Sequence, residues 1–217
     1  MGLTIHFELG CSGSAGDVKH KLEEVRNQVE DLPIEEVSPL VELDWADESQ
    51  DTNEALRWLK VQYERDEPID EHTTKRVPPA EGYGFVIYVG EGCESLNIAL
   101  TRLHDEEMWS GRAFCKTQYA REFLKCHLLV IAVLDLCKAE GILKSVNDEG
   151  GYWETRDINV LAKSINESSA LLADFSKFLK NSLPKDLPIK AEIDECQNYV
   201  ITEDMKRKEK RNNAEKE

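Results

Sequence analysis

The feature that most constrains this chain is the run from Thr117 to Glu140. It contains neither Gly nor Pro, and from Leu128 to Leu136 apolar side chains surround the helix it predicts. A helix that is apolar on all sides is stable only when covered on most of them. Gly141 marks its stop, because glycine readily takes the left-handed conformation just past a helix end. The rest of the chain must therefore supply a surrounding core. At 217 residues and 41% hydrophobic content it has the material for one.

The first half predicts a sheet with helices. Leu3, Ile5, Phe7 and Leu9 alternate with Thr4, His6 and Glu8, the period of a half-buried strand. Val18, Leu22, Val25, Val29 and Leu32 follow at helical spacing, with Ser14 or Asp17 to cap the helix and Pro33 to end it. Residues 40–45 read as a second strand, and 53–65 as a helix with Leu56, Leu59 and Tyr63 inward. Residues 69–84 read as a loop broken by Pro78 and Pro79. Two β-prone runs, 85–90 and 95–103, flank the turn "EGCE" and predict a hairpin.

Beyond Gly141, residues 145–157 read as a loop. A long helix follows, with Ile158, Leu161, Ile165, Leu172, Phe175 and Leu179 on one face and Pro184 as its end. The segment "KAEIDECQNYVI" adds one strand or turn, and residues 201–217 read as a disordered tail. The expected fold class is α+β: a small mixed β-sheet with helices in the N-terminal half (1–110), packed on a mainly helical C-terminal half (111–200). These form one compact domain over 1–200.

Charge narrows the function classes. The net charge is −16, and residues 1–110 carry 25 acidic against 9 basic side chains, while 111–217 carry 18 of each. A phosphate-binding nucleic-acid interface needs a basic surface, so that class is disfavoured. The acidic half suits either solubility or a basic protein partner. The start "MGLTIHFELG" has no basic leader. The longest apolar run, Leu128 to Leu134, is seven residues, against about 18 for a membrane span. The expectation is a soluble, cytoplasmic protein with no membrane partner. Six cysteines, at 11, 93, 115, 126, 137 and 196, form no C-x-x-C pair. They read as reduced and mostly buried thiols, with no metal site and no cofactor motif.

Two polar clusters carry chemistry. In "WSGRAFCKTQYA", the pattern around Lys116 and Thr117 invites comparison with a nucleotide phosphate loop, but both required glycines are missing. Lys116, Thr117, Gln118 and Tyr119 would stand at a helix N-terminus, where free N–H groups and positive partial charge attract an anion. Thr117 as a simple helix cap is the competing reading. Cys115 is a weak candidate for a reactive thiol, acidified by that helix end and by Lys116. At helical rise His127 would lie roughly 15–18 Å away, too far to serve as its base; His6 and His104 are the other histidines in play.

In "NDEGGYWETRD", Asp148, Glu149, Tyr152, Arg156 and Asp157 could line a polar-ligand site, with Gly150 and Gly151 giving the loop freedom. The competing reading is a helix–helix connection in which Tyr152 and Trp153 plug the core and Thr155 and Asp157 serve the next helix start. Glu91, Glu94 and Asn97, in "YVGEGCESLN", are a turn with too few carboxylates for a specific metal assignment.

Together "LTIHFEL", "GFVIYVGEGCESLNIAL", the W-S-x-x-x-F-C-K-T-Q-Y-A block and the V-x-D-E-G-x-Y-W-E-x-R-D block resemble a family of uncharacterised bacterial proteins over most of residues 2–180. That resemblance implies only that the two polar blocks belong to one pattern. Two functions are expected. One is a protein binding a small polar or anionic ligand at a helix N-terminus, with or without catalysis. The other is an acidic interaction or immunity-like accessory protein that meets a basic partner.

Overall fold

The structure, a computed structural model, describes residues 3–68, 73–104 and 106–167. Leu172, Phe175, Leu179, the segment 190–201 and the expected tail lie outside the described residues. The chain divides into two units, Thr4–Asn147 and a second made of Met1–Leu3 with Asp148–Glu217.

In the first unit the alternation at the chain start becomes strand β1, Thr4–Ser12, with Ile5, Phe7, Leu9 and Cys11 buried. Ser14 then closes a capping box: its hydroxyl accepts from the Asp17 amide at 3.2 Å, and the Asp17 carboxylate accepts from the Ser14 amide at 2.9 Å. This satisfies donors that the start of helix α1, Ala15–Glu30, would otherwise leave unpaired. Val18, Leu22, Val25 and Val29 are its buried face, as their spacing predicts.

Short strands β2 (Glu36–Val37) and β3 (Val41–Glu42) follow, then helix α2 (Glu54–Gln62). The Asn53 side chain caps α2, accepting from the amides of Ala55 and Leu56 at 3.0 and 3.2 Å. A separate polar hairpin pairs β4 (Arg65–Pro68) with β5 (Thr74–Val77). Strands β6 (Glu81–Tyr88) and β7 (Leu96–Arg102) make the expected hairpin, in register from Glu81 opposite Arg102 to Ile87 opposite Leu96. Strand β8 is Met108–Lys116, helix α3 is Phe123–Ala139 and strand β9 is Leu143–Asp148.

Helix α3 has ten buried residues, as its all-round apolar sequence requires. Its end is a Schellman turn. Gly141 has φ +71°, its amide donates to the Lys138 carbonyl, and the Ile142 amide donates to Cys137, both at 3.0 Å. Helices α1 and α3 are tied by Lys21 Nζ to the Glu140 carbonyl at 2.9 Å and by Gln28 to the Glu140 side chain at 3.1 Å.

The main sheet has the order β2-β6-β7-β8-β1-β9, with β3 also paired to β6. The expectation of a mixed sheet is corrected: every ladder with a defined register is antiparallel. Strands β6, β7 and β8 follow one another through short turns, which join antiparallel neighbours only. The second half also contributes to the sheet, through β8 and β9, and residues 168–200 of the expected helical half lie outside the described residues. One face of the sheet carries Ile5, Phe7 and Leu9 opposite Cys115, Ala113 and Gly111. With Phe85, Ile87, Leu96, Ile98 and Leu100, all fully buried, these side chains form the core. The other face carries His6 and Glu8 opposite Phe114 and Arg112.

In the second unit, a short helix α4 (Tyr152–Thr155) precedes a helix over 158–167. Ile158, Leu161 and Ile165 are buried along it, as their spacing predicts. Among the described residues no helix is long and apolar enough to cross a membrane.

Candidate functional site

Strands β7 and β8 pair at a single position, Thr101 opposite Ser110. Beyond it they part, and Tyr63, just past α2, fills the gap. Its hydroxyl donates to the Asn97 carbonyl at 2.9 Å and accepts from the Ala99 amide at 3.1 Å. The phenol thus takes the place of a ladder partner for two backbone groups that would otherwise be buried unpaired. Burial pushes its own ionisation well above the ordinary tyrosine value. Gly111 permits the insertion: a Cβ there would collide with the Ala99 carbonyl and the Tyr63 ring.

With Tyr63 as its anchor, α2 stands over the second face of the sheet and leaves a groove of about 810 Å³. That size falls in the range of small-molecule sites, ~300–1,000 Å³. From α2 come Glu54, Trp58 and Gln62; from the sheet come His6, Arg112, Phe114, Tyr88 and Asn97; the turn before β7 adds Glu94 and Ser95. Trp58 is 56% exposed, and Tyr88 and Phe114 are each 38% exposed. Three exposed aromatic side chains lining one concavity are what a planar ligand requires. The His6 and Phe114 rings are 5.9 Å apart.

The groove's polar groups differ in how far they are already engaged. Arg112 is held by Glu8, with Nε and a terminal nitrogen donating to one carboxylate oxygen at 2.9 and 2.5 Å. Arg76, at the groove edge, stands 3.9 Å from both Glu64 and Asp66. Glu54 has no cationic partner among the described residues. Asn97 is 7% exposed, and its Nδ2 donates to Gln62 Oε1 at 2.6 Å, but its Oδ1 has no hydrogen-bond partner. A buried acceptor left unsatisfied costs about 1–3 kcal/mol and calls for a reason.

The residues of the first polar cluster lie elsewhere than expected. Cys115 and Lys116 end strand β8, and α3 begins at Phe123, so none of Lys116, Thr117, Gln118 or Tyr119 stands at its N-terminus. The period of two puts Cys115 and Lys116 on opposite faces of the sheet. Cys115 is buried, and its thiol is pushed well up by its hydrogen bond with Cys93 and by burial, the reverse of the expected acidification. His6, opposite Phe114, faces away from it.

Lys116 Nζ lies 5.9 Å from the centre of the Phe114 ring, beside the groove. Thr117 is fully buried and hydrogen-bonds His127 Nδ1 at 2.9 Å. The loop after β8 folds back onto α3, so His127 reaches the cluster that a continuous helix would hold it away from. Gln118 keeps a buried Oε1 without a partner, and Tyr119 is exposed.

The second cluster, in the other unit, includes several local caps. Asp148 is buried and accepts from the amides of Gly150, Tyr152 and Trp153 at 2.7, 2.8 and 2.9 Å. Asp157 Oδ1 accepts from the Asn159 amide at 2.8 Å at the start of the helix over 158–167. Glu149 is exposed. Arg156 has φ 52° and stacks on Trp153, 4.4 Å from its ring centre, with Tyr152 at 6.0 Å. Thr155 belongs to α4, with its hydroxyl donating to the Gly151 carbonyl at 2.6 Å. Each of these contacts serves the turn itself.

Comparison with protein-family models, curated proteins and solved structures gives no match. Sequence reasoning overlooked His6, Trp58, Gln62, Tyr88, Arg112 and Phe114 as groove residues. The available signal was Phe114, a large apolar residue on the outward phase of a strand, together with Trp58 off the inward stripe of Leu56, Leu59 and Tyr63.

Proposed function

We propose that the protein binds a small planar molecule that presents hydrogen-bond donors, neutral or cationic, in the groove between α2 and the sheet. Asn97 carries this reading: it is a buried groove residue whose Oδ1 lacks any protein donor. Trp58, Tyr88 and Phe114 supply flat apolar walls for a ring. Charge favours a donor over an anion, since Arg112 is already held by Glu8 while Glu54 has no cationic partner among the described residues. The expected anionic ligand at a helix end therefore gives way to a donor-bearing ligand on the sheet.

The acidic-partner reading draws less support. Within 44–51, Asp44 and Asp47 accept from nearby amides, and Asp51 pairs with buried Lys60 at 2.7 Å. These carboxylates organise their own loop. The five cysteines among the described residues are free, which fits a reducing compartment and supports a cytoplasmic location.

Native mass spectrometry of gently isolated protein tests the reading. A bound small mass lost in Trp58→Ala and kept in Lys116→Ala supports the groove. The opposite pattern refutes it, and a bound protein chain released by salt favours the acidic surface.

A further inference from the structure

Three thiols converge behind one wall of the groove. Cys93 lies on the turn between β6 and β7, Cys115 in β8 and Cys126 in α3. Cys93 Sγ is 3.9 Å from Cys115 Sγ. The Cys115 thiol also reaches the Glu94 carbonyl at 3.1 Å. Glu94 in turn clasps the end of β8: its amide donates to the Lys116 carbonyl at 3.1 Å, and its carboxylate accepts from the Lys116 amide at 2.9 Å. Glu94 and Ser95 line the groove.

We infer that Cys93 and Cys115 are a redox-active pair, in which a peroxide oxidises Cys93 and Cys115 closes a disulfide that repositions the Glu94–Ser95 wall of the groove. An effect on ligand binding rests on the function proposed above; formation of the disulfide does not.

The two sulfurs are placed for different roles. Cys93 is half-buried and open to a small oxidant, whereas Cys115 and Cys126 are buried. The hydrogen bond with Cys115 holds the Cys93 thiol below its ordinary value, whereas Cys115 is pushed well up by the same hydrogen bond and by burial, and burial pushes Cys126 up to about 11. The thiolate is the attacking species.

The Cys93 sulfur attacks one oxygen of the peroxide; an S–O bond forms, the O–O bond breaks, and the departing hydroxide takes up a proton as water. The Cys115 sulfur then attacks the Cys93 sulfur; the S–S bond forms, the S–O bond breaks, and hydroxide leaves as a second water with the Cys115 proton. Two thiols lose two electrons, and hydrogen peroxide becomes two waters.

Closing the pair brings the sulfurs from 3.9 Å to about 2.05 Å. Cys115 sits in a paired strand. Cys93 sits on a turn, held by its amide to the Gly90 carbonyl at 3.0 Å, with Gly92 at φ +75°. The turn therefore moves, and Glu94 and Ser95 move with it.

The full chain is treated with equimolar hydrogen peroxide and followed by intact mass, peptide mapping and the amide NMR spectrum. The expected result is loss of two hydrogens, a Cys93–Cys115 link reversed by dithiothreitol, and displaced Glu94 and Ser95 amides. Cys93→Ser, on the half-buried turn, abolishes the mass loss; Cys126→Ser leaves it intact. Cys93 stopping at a sulfenic or sulfinic acid, or linking to Cys126, overturns the pair. A disulfide that leaves both amides in place overturns the repositioning. A disulfide with displaced amides in a protein whose groove binds nothing leaves the pair standing and removes the proposed function alone.

Discussion

The Tyr63 hydroxyl donates to the Asn97 carbonyl at 2.9 Å, on the same residue whose side-chain Oδ1 is left without a donor. One side chain from the end of α2 thus repairs the sheet where β7 and β8 part, and the Asn97 side chain beside the groove keeps a buried acceptor that the fold does not use.

Tyr63→Phe keeps the ring and removes that repair. The Asn97 carbonyl and Ala99 amide lose their shared partner in a buried site, so stability falls by about 1–3 kcal/mol. Urea denaturation of wild type and variant measures it. Equal midpoints would show that water or a shifted strand satisfies both groups.

Gly111→Ala adds a methyl where the Ala99 carbonyl and the Tyr63 ring already stand. The strands must separate further or the ring must retreat, at a cost of about 1–3 kcal/mol. Combining it with Tyr63→Ala relieves part of that cost, so the two changes are not additive. Strict additivity in thermal melts contradicts the packing described.

Glu8 reports on the charge balance of the groove. Its carboxyl is held below the usual glutamate range by hydrogen bonds from Arg112 and from Ser145, the latter at 3.1 Å. A depressed folded-state pKa contributes stability that is present above the unfolded value and lost as pH falls through the folded one. NMR titration is expected to place Glu8 below unpaired exposed glutamates, with Arg112→Gln returning it toward the ordinary value. The stability gap between wild type and that variant narrows as pH falls through the same range. A Glu8 midpoint unmoved by Arg112→Gln contradicts the pairing.

Much of the core was legible because its periods are clear. The alternation of Leu3 to Leu9, the stripe from Val18 to Val29 and the hairpin of 85–103 all reappear. Strand β8 was not legible. Its inward positions include Gly111 and Ala113, too small to register as a hydrophobic phase, while Phe114 points outward. Reading "CKTQY" as a helix start followed from that error, and with it the placing of the anion site. Hairpin β4–β5 was missed because its strands are rich in charge, with Asp66, Thr74, Lys75 and Arg76 exposed, and have no apolar alternation to detect.

The groove was invisible for a different reason. Its walls come from β1, α2, β6, β7 and β8, and no local spacing joins residues as distant as His6, Trp58 and Phe114. The role of Asp157 was legible as the bland alternative, since it accepts from an amide at the start of a helix, whereas the cap at Asp148 was not foreseen.

The most direct test is an amide NMR titration of the full chain with a panel of small heteroaromatic amines, run on wild type and Asn97→Leu. That substitution removes the unsatisfied acceptor together with the Nδ2 donor to Gln62 Oε1, so folding stability changes by only about 1 kcal/mol while groove binding is lost. The account predicts ligand-induced shifts at Asn97, at the Trp58 indole and at Phe114, absent in Asn97→Leu. Shifts confined to Lys116–Tyr119 or to Asp148–Asp157, or binding that survives the loss of Asn97 unchanged, would contradict it.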